Sequence, residues 1–183
     1  GHRRMSLAAL HRLGLDEVWW LVSPQNPLKP AAGMAPLAAR LASARQVARH
    51  PRIRPTAIEA ELGTQLTIDT LQALRRRFPQ VRFLWLMGSD NLIQFHRWIA
   101  WRDIARTVPI VVMARPLYAG ASQSAPAMGW LRRYRHRNAA GWGSWALPGI
   151  AMADFGLDAR SATAIRRVEP DWADDILEEQ EQI

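Results

Sequence analysis

Hydrophobic and polar positions follow two rhythms along this chain. Three continuously apolar runs read as strands buried on both faces of a sheet: Glu17 to Val22, Phe83 to Met87 and Val108 to Ala114. A fourth run, Trp145 to Met152, is weakened by Pro148 and Gly149. Between them, apolar residues recur at helical spacing. Gly1 to Leu13 carries Met5, Ala9, Leu10 and Leu13, and Ala35 to Arg49 carries Leu37, Leu41, Ala44 and Val47. Ile68, Leu71, Leu74 and Phe78 form a third stripe, with Thr67 at its start, where capping accounts for it, and Asp69 in its first turn. Further helices are expected over Trp101 to Arg106, Ala127 to Arg137 and Trp172 to Gln182, and a short extended segment around Thr56 to Glu61. Fully apolar strands alternating with helices predict an α/β fold with a doubly wound parallel sheet and flanking helices.

The stretch from Phe83 to Trp101 carries the densest chemistry. Its apolar run stops at Gly88-Ser89-Asp90, so it reads strand, tight turn, helix start. Gly88 lets a backbone or ligand approach closely, and Ser89 or Asp90 can cap the helix that follows. In parallel sheets, ligands bind outside the carboxyl ends of the strands. Asp90 is placed there to accept from a ribose, and Trp98 and Trp101 offer faces for a heterocycle. The same residues also read as a buried strand, a capped helix and core tryptophans. A second loaded stretch is Leu157 to Arg167, where Ser161 and Thr163 stand at a helix start and Arg166 follows, a set suited to phosphate. An ordinary capped surface helix fits that spacing equally well.

Composition narrows the classes. The 183 residues are 49% hydrophobic and 22% charged, ordinary for one globular domain. No apolar run approaches the roughly 20 residues that span a bilayer. There is no cysteine, which removes disulfides and thiolate metal sites and suits a reducing cytoplasm. The formal charge is +8, and Lys29 is the only lysine among the 24 basic residues. Arg132, Arg133, Arg135 and Arg137 form a local basic cluster. Such a balance suits anionic partners, although most of these arginines read as solvated. Motifs for zinc proteases, Walker loops and serine hydrolases are absent.

The segment MGSDNLIQFHRW resembles the G-x-D-x-L-x-x-F-x-x-W segment of the bacterial nicotinate-mononucleotide adenylyltransferases. Further matches run in family order. Gly1-His2 with Ser6 is similar to the tail of the H-x-G-H phosphate signature, and the loop SPQNPLKP to the family's proline-rich loop ending at Lys29. Thr67 to Leu71 resembles the [YS]-T-x-x-T-L motif, and the segment after Leu157 resembles I-S-S-T-x-[IL]-R, with Arg160 and Ala162 departing from it. Arg115-Pro116 and Tyr118 also resemble the family's R-P-x-Y strand ending. The resemblance implies a Rossmann-like single domain over residues 1–183, N-terminally truncated, with 119–144 as a variable insertion. It implies adenylyl transfer from ATP to nicotinate mononucleotide, giving deamido-NAD and pyrophosphate in NAD biosynthesis. It implies His2 as the catalytic donor, and Gly88, Asp90, Ser161, Thr163, Arg166 and Lys29 as the ATP set. It implies Thr67 and Trp98 for the mononucleotide, and Mg²⁺ held mainly by the ATP phosphates. Because the strand and glycine turn before Gly1 are missing from the sequence, weak activity and poor stability of the chain alone are expected. The alternatives are another adenylyltransferase, such as the pantetheine-phosphate type, or a basic nucleic-acid-binding module around Trp130 to Arg137. Nucleic acid and membrane are not expected as partners, and a homo-oligomer is compatible with the sequence.

Overall fold

In the computed structural model, the described residues are 2–24, 35–114 and 118–155, and they fold as two compact units. The first unit takes residues 2–10 and the described residues of 15–65; the second takes 11–14 and the described residues from 66 onward.

Helix α1 (His2–Arg12), which belongs to the first unit as far as Leu10, precedes strand β1 (Val18–Leu21), helix α2 (Leu37–Ala48), strand β2 (Ile53–Thr56) and helix α3 (Ile58–Leu62) of that unit. The strands pair in parallel, from Val18 opposite Ile53 to Leu21 opposite Thr56. Glu17 ties them at their start: its carboxylate accepts from the Trp19 indole at 2.7 Å and from Arg54 at 3.0 Å. The Trp19 bond, then Arg54, holds this carboxyl below its usual range. Two expectations are corrected here. The extended segment is Ile53–Thr56, and most of Thr56 to Glu61 is helical, because the Thr56 hydroxyl accepts from the Ile58 N–H and turns the chain into α3. Helix α2 buries Ala39, Ala42 and Ala48, while Val47 of the expected apolar stripe is 52% exposed. The helix lies against β2, and its buried residues are all alanines.

In the second unit, helix α4 (Thr67–Arg77) is followed by strand β3 (Trp85–Gly88), helix α5 (Ser89–Gln94), a 3₁₀ turn (Phe95–Arg97), helix α6 (Trp101–Thr107) and strand β4 (Ile110–Met113). Then come helices α7 (Ala119–Gln123) and α8 (Met128–Leu131), strand β5 (Arg135–His136), a 3₁₀ segment (Ala139–Ser144) and strand β6 (Ile150–Ala153). The sheet is parallel throughout, in the order β3-β4-β6-β5. All four residues of β4 are buried, as a central strand covered on both faces requires. Ile68, Leu71, Leu92, Phe95, Ile104, Ile110, Leu131 and Ile150 share one core. Each fully buried side chain of this size contributes roughly 1.5–3 kcal/mol of burial free energy. The expected basic helix over Ala127 to Arg137 is corrected to a short helix, a 3₁₀ turn and the edge strand β5. The apolar residues there end at Leu131, and the backbone beyond finds partners on β6 instead.

Candidate active site

The second unit carries a strand, turn and helix at the carboxyl edge of its sheet. Strand β3 ends at Gly88, opposite Met113 of β4, and α5 begins at once with Ser89. Gly88 itself is the N-cap, and no side chain caps the helix. The expected capping by Ser89 or Asp90 is therefore corrected: both lie inside the first turn, Ser89 fully buried and Asp90 half-buried. Gly88 has φ −78° and ψ 158°, which any residue adopts, so a left-handed backbone is not the reason for glycine there.

Trp98 follows the 3₁₀ turn, and its N–H donates to the Phe95 carbonyl at 3.0 Å. Its half-buried ring meets Phe95 edge-on at 5.4 Å and Trp85 edge-on at 6.1 Å. Ala100, at φ 53°, then bends the chain into α6, whose Trp101 also meets Phe95 edge-on, at 5.7 Å. Phe95 is thus the fully buried hub that fixes both tryptophans. The indole N–H groups of Trp85 and Trp98 are buried and find no acceptor among the described residues. An indole nitrogen only donates, and a buried donor without an acceptor costs about 1–3 kcal/mol. The pair therefore leaves two donors for an acceptor that the described residues do not supply.

Thr67 is the first residue of α4, and Leu66 is the N-cap, with no side-chain cap bond. The expected capping role of Thr67 is thereby corrected. The first internal bond is Thr70 N–H to Leu66 carbonyl at 3.0 Å, reinforced by the Thr70 hydroxyl donating to the same oxygen at 3.1 Å. The N–H groups of Thr67, Ile68 and Asp69 stand before that bond, at the positive end of an eleven-residue helix. Leu66 and Trp98 both pack against the core of this unit.

In the first unit, His2 opens α1 in an exposed position, its ring edge-on to Trp20 at 6.1 Å. The Trp20 indole donates to the buried Ser6 hydroxyl at 2.8 Å, which fixes the ring that His2 meets. Arg40 ties together the described residues on either side of 25–34. Its guanidinium donates to the carbonyls of Ser23 at 2.7 Å, Pro24 at 3.0 Å and Ala35 at 2.9 Å. Burial lowers the Arg40 pKa from its usual value. Lys29, Ser161, Thr163 and Arg166 lie outside the described residues.

A profile of the cytidylyltransferase-like family matches residues 1–168. The chain belongs to this family. It is 59% identical over 174 residues to a probable nicotinate-nucleotide adenylyltransferase of Erythrobacter litoralis, covering 94% of this chain and 80% of that protein. Proteins described in the same words from Parvibaculum lavamentivorans and Cereibacter sphaeroides are 51% and 52% identical, each over 91% of this chain and over 84% and 89% of their own lengths. The parallel α/β architecture is that of a Rossmann-like nucleotidyltransferase.

Within this member of the family, the structure brings Gly88, Asp90, Trp98 and Thr67 into one unit. Two contributors escape a reading of the sequence alone. Trp85 sits inside an apolar strand, where its indole N–H is the single polar signal. Arg40 lies in a helix among other arginines, and nothing local separates it from them.

Proposed function

We propose that the chain transfers the adenylyl group of ATP to nicotinate mononucleotide, releasing pyrophosphate and forming deamido-NAD. The observation that carries this reading is the Gly88–Trp98 arrangement. A glycine turn and a carboxylate stand at the carboxyl end of a parallel strand, and the same stretch runs on to Trp98, whose indole N–H, like that of Trp85, finds no acceptor among the described residues. The similarity to the three relatives supports the choice of substrates.

A phosphate oxygen of the mononucleotide attacks the α-phosphorus of ATP in line. A new P–O bond forms as the bond to the β-phosphate oxygen breaks, and pyrophosphate leaves with the electron pair. The nucleophile is already ionised at neutral pH, so the protein positions the reactants and stabilises charge. His2 donates to the α-phosphate oxygens as charge builds. Asp90 accepts from the adenosine ribose at the Gly88 turn. Trp98 stacks on the pyridine ring, and the N–H groups at the Thr67 helix start face its carboxylate. Lys29, Ser161, Thr163 and Arg166 complete the ATP phosphate set in this proposal. Mg²⁺ travels with ATP, held by phosphates and water. Among the described residues no group of three or more His, Asp or Glu is gathered to cage an ion.

A cytoplasmic location suits a cysteine-free chain. Among the described residues no helix is long and apolar enough to cross a membrane. The test is pyrophosphate release from ATP with three acceptors: nicotinate mononucleotide, nicotinamide mononucleotide and pantetheine phosphate. The acid mononucleotide is expected to be preferred, because an amide brings no negative charge to the Thr67 helix start. Equal kcat/KM for acid and amide would remove the Thr67 assignment, and preference for pantetheine phosphate would overturn the proposed substrate.

A further inference from the structure

The sheet of the second unit has an opposite edge, and a cavity of about 690 Å³ opens there. Its walls come from the residues just before the strands: Phe83 precedes β3, Pro109 precedes β4 and Leu147 precedes β6. Gly88 and Asp90 lie beyond the other end of β3. A four-residue strand at about 3.3 Å per residue puts roughly 13 Å between the two edges. The cavity is therefore a separate place from the Gly88–Asp90 turn, and neither Trp85 nor Trp98 lines it.

Its chemistry is one-sided. Arg75, Arg76 and Arg82 line it, and among the described residues no carboxylate does. Two of the guanidiniums are held in place by backbone carbonyls. Arg75 Nη1 donates to Thr107 at 3.1 Å, and Arg82 Nη1 donates to Gly143 at 3.3 Å. A guanidinium has five N–H donors, so each keeps most of its fork for another acceptor. The aromatic wall is fixed too. The Trp142 indole donates to the Leu13 carbonyl at 2.8 Å, and Arg82 stands 5.9 Å over the Trp142 ring. Trp145 is stacked face to face on His136, with centroids 4.3 Å apart and planes 2° apart.

We propose that this cavity binds a nucleoside monophosphate, with the phosphate in the arginine forks and the base against the tryptophan wall. A planar fork matches phosphate oxygens two at a time. Indole faces accept a flat heterocycle of any sequence. The volume falls in the range of small-molecule sites, about 300–1,000 Å³. That bounded size favours a mononucleotide over a nucleic-acid strand, which needs a groove that continues.

The test follows the indole N–H resonances of Trp142, Trp145 and Trp98 in the ¹⁵N-labelled chain, assigned through single Trp→Phe variants, as AMP is added. Saturable shifts at Trp142 and Trp145 are expected. Arg76→Gln should raise their apparent Kd about tenfold, the loss of a charged hydrogen bond, and leave the Trp98 titration unchanged. Arg76 is exposed and holds no backbone carbonyl, so this variant keeps its fold. Arg82→Lys, which keeps the charge and loses the fork, should weaken AMP by several-fold. Adenosine and inorganic phosphate, each offering half of the ligand, should both bind more weakly than AMP. The proposal is overturned if AMP moves Trp98 alone, if Arg76→Gln changes nothing, or if adenosine or phosphate matches AMP. It is also overturned if a short single-stranded RNA saturates the site at lower concentration than AMP.

Discussion

The two edges of the parallel sheet in the second unit differ in how they are assembled. At the carboxyl edge, one unbroken stretch supplies the strand end at Gly88, the turn and the Asp90 carboxylate, and runs on to Trp98 and Trp101. At the amino edge, the arginine cavity draws on α4, on the connections into β3 and β4, and on the segment before β6. The carboxyl edge carries the Asp90 carboxylate and a glycine turn; the amino edge combines arginines with a tryptophan wall and, among the described residues, no carboxylate. A parallel sheet gives every strand the same direction, so it sorts its connections into two sets with different chemistry. A site made by one set is contiguous in sequence only when a single connection dominates it, as the Gly88 turn does.

The strongest way to break this contrast is to remove its hub at the carboxyl edge. Phe95→Ala should destabilise the second unit by about 3–5 kcal/mol, as expected for a large aromatic deleted from a packed core. It should also free Trp98 and Trp101, seen as a lowered Tm and a loss of near-ultraviolet circular dichroism. A stability loss below about 1 kcal/mol would mean that the ring cluster does not organise this edge.

Asp90→Ala comes next. If its carboxylate accepts from the adenosine ribose, ATP affinity should fall by about 1.5–3 kcal/mol, the range for a charged hydrogen bond. Calorimetric titration should show mononucleotide affinity unaltered. Trp98→Ala should reverse that pattern. Stacking on an aromatic face is worth roughly 1–3 kcal/mol, so mononucleotide affinity should fall while ATP affinity holds. An equal loss for both ligands would make Trp98 a core residue only. The smallest effect belongs to the amino edge. Arg76→Gln should leave both affinities and the thermal stability within about 0.5 kcal/mol of the parent, the usual range for exposed positions. Any larger change in ATP affinity would join the two edges functionally and end the distinction.

Much of the fold was legible because its signals are local. The apolar run that becomes β4, the turn at Gly88 and the helix spacing from Ile68 to Leu74 act within a few residues. The candidate site was legible to the extent that it is one segment: Gly88, Asp90 and Trp98 fall within eleven consecutive positions. Legibility failed where the partner decides. The apolar stripe expected on α2 pointed to Leu37, Leu41, Ala44 and Val47, whereas Ala39, Ala42 and Ala48 face the interior. A helix packed closely on a strand selects its small side chains, and residue hydropathy does not encode that closeness.

The sequence by itself determined the α/β class, the parallel arrangement implied by fully apolar strands, and the strand–glycine–helix junction at Gly88. All three follow from backbone geometry and burial period, which each short segment carries with it. Only the tertiary structure decided the rest. It paired Arg135 and His136 with β6 where a basic helix was expected. It set the Trp85 and Trp98 indoles edge to face, with no acceptor for either N–H among the described residues. It gathered Arg75, Arg76 and Arg82 on one cavity wall out of 24 basic residues. These outcomes depend on which distant segments meet and on what each polar group finds when water is removed, and no local pattern specifies that.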